Sequence, residues 1–253
     1  MVGLLHKPQF LKPGFIPDLT RGMREFIRHD SLYLPVAEIS DNLKWYESRL
    51  YTRNLVPGVA VYWEILRRFG GIEYRLWDPK RSKLAAFLYN KGNTFPFDTM
   101  TTVLYLGAAS GTTVSHISDI VTGGRVFAVE VAKNPFKDLL SVAEGRGNIV
   151  PILEDANHPE KYERLVREVD VMYQDIAQRN QTEIFIKNSR LLKPGGYGFL
   201  MLKARCVDVS APPSKIYKQC VWELKKAGLR FIEITLLGPY EKDHAAIVVG
   251  KEA

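Results

Sequence analysis

From Asp78 onward the chain alternates short apolar runs with segments of helical period, and few folds accept that alternation. Runs at 103–106, 125–130, 148–153, 170–173 and 197–203 read as strands. Segments at 81–89, 112–121, 134–143, 159–168, 181–192 and 214–227 read as helices, with apolar residues gathered on one side, as at Val114, Ile117 and Val121. Gly123-Gly124, Lys193-Pro194-Gly195-Gly196 and Gly228 are stop signals, and Pro135 suits a first helical turn. Strand–helix–strand crossovers are right-handed, so these units demand a mainly parallel sheet. Two last strands, at 231–237 and 245–250, share a short polar loop and pair antiparallel. The expected fold class is α/β: a Rossmann-like sheet of seven strands, the last antiparallel, where a dinucleotide fold would show six.

The first of these strands, Val103-Leu104-Tyr105-Leu106, runs into Gly107-Ala108-Ala109-Ser110-Gly111 and then directly into a helix. So bare a backbone lets a ligand approach closely. The spacing is not G-x-G-x-x-G, and no phosphate loop of the G-x-x-x-x-G-K-[ST] kind occurs. The loop instead resembles the first motif of Rossmann-type methyltransferases that use S-adenosyl-L-methionine (SAM). A tight turn without a ligand fits the same residues. Acids follow three successive strands: Glu130, Asp155 and Asp175. Glu130 can accept from both hydroxyls of a ribose. Asp155, with Ala156 beside it, can accept from an adenine amino group, and Asp175 can face the methionine amino group and the reaction centre. Each alone also fits a helix N-cap or a solvated loop carboxylate. Three together, at three strand ends, favour a ligand.

Residues 1–77 differ from the rest. Segments 14–16, 25–28, 31–34, 59–63 and 71–77 are strand-like, with a turn at Asp30-Ser31, and 41–51 reads as a short helix or a loop. The expected organisation is a small β-rich module over 1–77 and a methyltransferase domain over 78–253. Net charge is +7, from 35 basic and 28 acidic residues, which favours a polyanionic partner. Arg67-Arg68, Lys187 with Arg190, and Lys225-Lys226 read as solvated faces. No apolar run approaches the roughly 18 residues of a bilayer span, so no membrane role is expected. Lys7, Pro8, Lys12 and Pro13 interrupt the N-terminal apolar residues, so no signal peptide is read. Cys206 and Cys220 form no C-x-x-C pair, which gives no metal site and no disulfide framework and points to a reducing, intracellular compartment.

Four segments carry a more specific likeness. They are Trp77-Asp78-Pro79-Lys80-Arg81-Ser82-Lys83-Leu84, the stretch from Leu104 to His116, Tyr173-Gln174-Asp175-Ile176-Ala177-Gln178, and Lys203-Ala204-Arg205-Cys206. In these the chain closely resembles the fibrillarin family, the methyltransferase subunits of box C/D ribonucleoproteins. The likeness covers nearly the whole chain and is most specific from Trp77 to Lys251. A Gly-Arg-rich extension is missing, so the chain looks like an archaeal, cytoplasmic form rather than a nucleolar eukaryotic one. Two departures stand out. Val131 replaces an aromatic residue that often follows the strand-two acid, and Gln174 is not the common residue before Asp175.

The resemblance implies a SAM-dependent RNA ribose 2′-O-methyltransferase acting on pre-rRNA and tRNA. It assigns SAM to Gly107, Ala108, Ala109, Gly111, Thr112, Thr113, Glu130, Val131, Asp155, Ala156, Asp175, Ile176, Ala177 and Gln178. It implies a catalytic set of Lys83, Asp175, Lys203 and His244, and RNA contacts at Lys80, Arg81 and Arg205. The implied partners are a Nop-domain scaffold, a kink-turn-binding ribosomal-type protein, a box C/D guide RNA and its target. Two other readings stay open: a SAM-dependent methyltransferase of protein side chains, and a SAM-binding structural subunit without catalysis.

Overall fold

The computed structural model describes residues 42–252, which fall in one compact unit. The segments expected at 14–16, 25–28 and 31–34, and the Asp30-Ser31 turn, lie outside the described residues. A four-stranded antiparallel sheet comes first: β1 (Leu43–Tyr46), β2 (Arg49–Arg53), β3 (Leu66–Phe69) and β4 (Ile72–Leu76), in the order β1-β2-β4-β3. The stretch 41–51, read as helix or loop, is thus the β1–β2 hairpin. Residues 59–63 are not a strand. The Glu64 carboxylate accepts from the Val61 and Tyr62 amides and curls this stretch into a loop, so the neighbouring strand begins at Leu66.

Seven helical segments and seven strands follow: α1 (Lys83–Tyr89), β5 (Thr102–Leu106), α2 (Thr112–Ile120), β6 (Arg125–Glu130), α3 (Lys133–Glu144), β7 (Ile149–Leu153), α4 (Glu163–Val166), β8 (Val169–Gln174), α5 (Gln181–Asn188), β9 (Leu192–Lys203), α6 (Ala204–Val207), α7 (Pro213–Lys226), β10 (Leu229–Leu236) and β11 (His244–Lys251). Most bounds lie within two residues of the periodicity. The long helix expected over 159–168 is instead a 3₁₀ turn at Pro159–Lys161 and the single turn α4: Tyr162, at φ −125°, leaves helical geometry between them, and Arg167, at a positive φ of 58°, ends α4. The helix expected over 181–192 is α-helical to Asn188 and continues as a 3₁₀ turn at Ser189–Leu191. The Lys193–Gly196 run does not separate helix from strand: β9 starts at Leu192 and carries it as an irregularity between the pairs Val169↔Leu192 and Val171↔Tyr197.

The large sheet has the order β10-β11-β9-β8-β5-β6-β7. β7, β6, β5, β8 and β9 are parallel, and β11 runs antiparallel between β9 and β10. Strands buried on both faces need two apolar layers. One layer sets Leu84 and Phe87 of α1, Val114 and Ile117 of α2 and Leu139 of α3 against Val103, Tyr173, Phe199, Met201 and Ala246. The other sets Ile184 and Phe185 of α5 and Ile216 and Leu224 of α7 against Leu104, Met172, Leu200 and Ala245. Among the described residues no helix is long and apolar enough to cross a membrane.

Buried polar groups join the small sheet to α2. Arg75 of β4, with no exposed surface, donates to Glu64 (2.5 Å), Asp119 (2.7 Å) and Ser115 (2.9 Å). Asp119 also accepts from Thr52 and from the Leu55 amide. Burial alone would raise the Glu64 carboxyl, yet Arg75 and the loop amides hold it below its ordinary value. His116 stacks on Trp77 at 5.1 Å, with Nδ1 2.7 Å from the Thr52 hydroxyl and Nε2 2.8 Å from the Tyr62 hydroxyl. Burial, then Arg75 and Arg146, push its pKa well below the ordinary 6.5, so the folded ring is neutral.

An unfolded histidine takes up its proton near pH 6.5, before the folded one does. Lowering the pH through 6.5 therefore favours the unfolded chain, by up to about 1.4 kcal/mol per pH unit for one proton. Stability from denaturant unfolding is expected to fall from pH 7.5 to pH 5.5, and His116→Gln is expected to flatten that slope. An unchanged slope in the variant would assign the pH dependence elsewhere.

Candidate functional site

In an open α/β sheet a ligand sits beyond the carboxyl ends of the strands, where the strand order reverses. That point lies between β5 and β8 here, since the chain winds outward from β5 to β7 and then returns to β8. The loop after β5 and the residues after β8 therefore face each other across one crevice, a relation no local pattern encodes.

The loop is built for close approach. Gly107 has φ +82°, and a Cβ there would stand 2.4 Å from the Asp175 carbonyl oxygen and 2.9 Å from Ile176. Only glycine lets the two strand ends come together. The Gly107 and Ala108 amides both donate to Val129 O at 3.0 Å, which ties the loop to β6. Gly111, at φ +88°, is the N-cap of α2, and Thr112 opens the helix. Ala109 is exposed, at φ +46°. Thr113 is turned inward: its hydroxyl donates to Ser82, the N-cap of α1, at 3.0 Å.

The acids stand where the periodicity puts them. Glu130 ends β6, and its two oxygens accept from the Ala109 amide (2.8 Å) and the Ala132 amide (2.7 Å). Each carboxylate oxygen keeps a second lone pair. Val131, next to it, is 56% exposed, leaving one face of the crevice bare. Asp155 follows β7; its Oδ1 accepts from the backbone and side-chain amides of Asn157, and the backbone amide in the first place holds its pKa below the ordinary range. Asn157 in turn donates to Gln178 Oε1 at 3.3 Å, which joins the loops after β7 and β8. Ala156 is buried, its carbonyl accepting from Asn188; Ile176 is half-buried over Gly107, and Ala177 and Gln178 are exposed.

Four polar side chains gather on one face of the sheet. Tyr173, Met201 and Ala246 face the layer of α1. Strand side chains alternate, so Lys203, two residues after Met201, and His244, two before Ala246, face the same layer. Lys203 and His244 are directly opposite in the β9–β11 register. Lys83 opens α1, and its Nζ lies 2.9 Å from Asp175 Oδ2, with the two side chains 19% and 24% exposed. His244 is buried, and its Nδ1 lies 2.8 Å from the Lys242 carbonyl. Burial first, and then Lys83, lower its pKa, so the ring is neutral with Nδ1 donating to that carbonyl and Nε2 left as an acceptor.

The expected RNA-contacting residues ring this edge less tightly. Lys80 is exposed just before α1, while the Arg81 guanidinium lies 5.8 Å from the centre of the Tyr62 ring. Arg205 is bound to Asp243 (3.0 Å) and to the Val209 carbonyl (2.7 Å). The groups read as solvated faces do lie at the surface: Lys187 pairs with Glu183, Arg67 covers Tyr46, and Lys226 covers Trp222. Asn157, Asn180 and Gln181 went unnoticed in the sequence. Their only signal is three carboxamides close to the strand-end acids, and amides are too common in loops for that to stand out.

The sequence profile described as fibrillarin matches residues 35–253. The chain belongs to the fibrillarin family. It is 48% identical to the fibrillarin-like rRNA/tRNA 2′-O-methyltransferase of Methanothermobacter thermautotrophicus over 204 residues, 80% of this chain and 91% of that one. The fibrillarin of Aeropyrum pernix, solved with natively bound SAM, superposes with a TM-score of 0.75 at 44% identity, covering 82% of this chain and 92% of that one. A fibrillarin solved in complex with Nop5p superposes with a TM-score of 0.77 at 40% identity, over 84% and 98% of the two chains. Gln174, the residue before Asp175, has a definite place here: its Nε2 donates to the Gln181 carbonyl at 2.7 Å.

Proposed function

We propose that this chain transfers the methyl group of SAM to ribose 2′-hydroxyls of rRNA and tRNA, as the catalytic subunit of a guide-RNA-directed box C/D ribonucleoprotein. The observation that supports this reading is that the Lys83–Asp175 pair and the cross-strand neighbours Lys203 and His244 lie at the carboxyl edge of the sheet, beside a glycine loop at its switch point. The residues fit SAM. Gly107 and Ala108 leave room for it, Glu130 offers acceptors for its ribose, and Asp155 with Ala156 borders the adenine side. Val131, Ile176, Ala177 and Gln178 wall the crevice, and the free amides at the start of α2, from Thr112 on, suit a carboxylate. Thr113 supports the loop from behind.

Bound SAM supplies a methyl group already activated by its sulfonium. The protein chiefly has to align the ribose oxygen, and alignment is worth roughly 7–11 kcal/mol. Help with the proton is worth about 10²–10⁴-fold, or roughly 3–5 kcal/mol, so alignment outweighs it. Lys203 holds its ammonium beside the hydroxyl and favours the developing alkoxide. Asp175 fixes Lys83 and faces the donor, Lys83 holds the substrate, and His244 presents Nε2 as an acceptor. Lys80, Arg81 and Arg205 meet phosphates of the guide–target duplex by charge and shape. The small sheet of β1–β4 is the N-terminal module of this reading, and the chain from residue 78 on is its methyltransferase domain. The apolar side chains of Val59, Trp63 and Ile65, exposed beside the small sheet, are the face offered to the Nop-domain scaffold. The kink-turn protein and guide RNA then bring the target to the edge, in the cytoplasm of an archaeal-type cell.

Reconstitution with scaffold, kink-turn protein, guide RNA and methyl-labelled SAM tests this. Label is expected in a matched target and absent from a target carrying a 2′-deoxyribose at the selected position. Label in the deoxy target would refute ribose methylation.

A further inference from the structure

β8 and β9 part company at the site. Gln174, the last residue of β8, lies opposite Leu200, yet β9 continues to Lys203. On its other side β9 is still covered: His244 lies opposite Lys203, and the Ala204 amide donates to Asp243 O at 3.1 Å. Bonded and non-bonded pairs alternate along an antiparallel ladder, so the Lys203 N–H and C=O turn away from β11. They point to where β8 has ended. The chain there has left: the Asp175 amide donates to Leu106 O at 2.9 Å, which draws it toward β5. Peptide groups left without partners at a buried strand end are costly and let that end fray.

Gln181 fills the gap. Its Oε1 accepts from the Lys203 N–H at 3.0 Å, and its Nε2 donates to the Lys203 C=O at 3.1 Å. A carboxamide carries the same donor and acceptor as a peptide group, so these two bonds stand in for one residue of strand. Gln181 is the first residue of α5 and has no exposed surface. Its own carbonyl accepts from the Gln174 side chain at 2.7 Å, and Gln174 is equally buried. A strut of two glutamines thus runs from the end of β8, through the start of α5, to the end of β9.

We propose that Gln181, braced by Gln174, is a positioning residue for methyl transfer, holding Lys203 at the carboxyl edge of the sheet; this rests on the reading of Lys203 given above. The strut is not hydrogen-bonded to the Gly107–Gly111 loop or to Glu130, and its two bonds to β9 fall on Lys203 alone, so its direct effect is on the placement of the ammonium. Without the strut the Lys203 peptide groups have no partner on the β8 side, and a strand end held from one side only keeps an ammonium less well aligned with a hydroxyl.

The test uses the full chain, free and assembled with scaffold, kink-turn protein and guide RNA. Gln181→Met keeps the length of the side chain and removes both bonds. Gln181→Asn keeps an amide, one methylene too short to make both, and serves if the first variant fails to fold. In the free protein the Lys203 amide is expected to exchange with solvent faster in either variant, and transfer is read at saturating SAM, so that a shift of the Asp175–Gln178 segment does not enter the rate. In the assembly, single-turnover transfer is expected to fall by up to about 100-fold, with half-saturation by target RNA unchanged. Adding either variant to Lys203→Ala is expected to deepen the loss no further, because both remove the same placed ammonium. Full transfer by both Gln181 variants, or losses that multiply in the double variant, would overturn the proposal. Full transfer by Lys203→Ala alone would overturn the reading of Lys203 first, and this role of Gln181 with it.

Discussion

Replacing Lys203 by alanine is expected to slow methyl transfer by the assembled particle about 10²–10⁴-fold, the range over which a positioned proton-handling group acts. SAM binding is expected to survive, because the residues that cradle the cofactor follow β5, β6, β7 and β8, and among the described residues none is hydrogen-bonded to the Lys203 side chain. Asp175→Ala is expected to be as slow in transfer for a different reason. Asp175 lies at the switch point, its amide held by Leu106 and its carboxylate 2.9 Å from Lys83 Nζ, so its loss releases Lys83 and strips charge from the donor side together. Neither change should unfold the chain. The Lys83–Asp175 pair is partly exposed, and such pairs contribute on the order of 1 kcal/mol or less. Transfer measured at saturating SAM, alongside SAM affinity measured by calorimetry, separates the two effects. Full transfer in both variants would remove this mechanism.

Arg75→Met is expected to destabilise the folded chain by about 3–5 kcal/mol. The guanidinium is fully buried, and its removal leaves Glu64 and part of Asp119 as carboxylates without their cation. Arg146 still approaches Asp119 at 3.4 Å, but nothing comparable remains for Glu64. The loop at 59–63 hangs on that same Glu64, so the small sheet should loosen against α2, and with it the face offered to the scaffold. For a chain of this size the loss corresponds to a fall in Tm of roughly 6–20 °C. Replacing Arg75, Glu64 and Asp119 together by apolar residues of similar volume is expected to recover much of the stability, because the penalty comes from unpaired charge. A loss below about 1 kcal/mol for Arg75→Met would show that the carboxylates find water or other partners.

Much of this was legible along the chain. The apolar runs at 103–106 and 125–130 have strand length and no helical period, and they became β5 and β6 almost residue for residue. The Gly107–Gly111 loop and the acids Glu130, Asp155 and Asp175 are local consequences of where those strands end. Period and punctuation determined the α/β class, the antiparallel last strand and the side of the sheet on which a ligand would lie.

Tertiary structure decided the rest. Residues 59–63 look like a strand but lose to the Glu64 carboxylate, whose position depends on Arg75 and Asp119 far along the chain. That Lys83 meets Asp175, and that Lys203 faces His244, follows from the β10-β11-β9-β8-β5-β6-β7 order and from register, which one strand cannot state about another. The bonds of Gln181 to Lys203 span 22 residues and exist because β8 stops short of β9. Hydrophobic period is a property of neighbours in sequence. Partnership between polar groups depends on which strand ends the packed core has left bare, and only the folded chain supplies that.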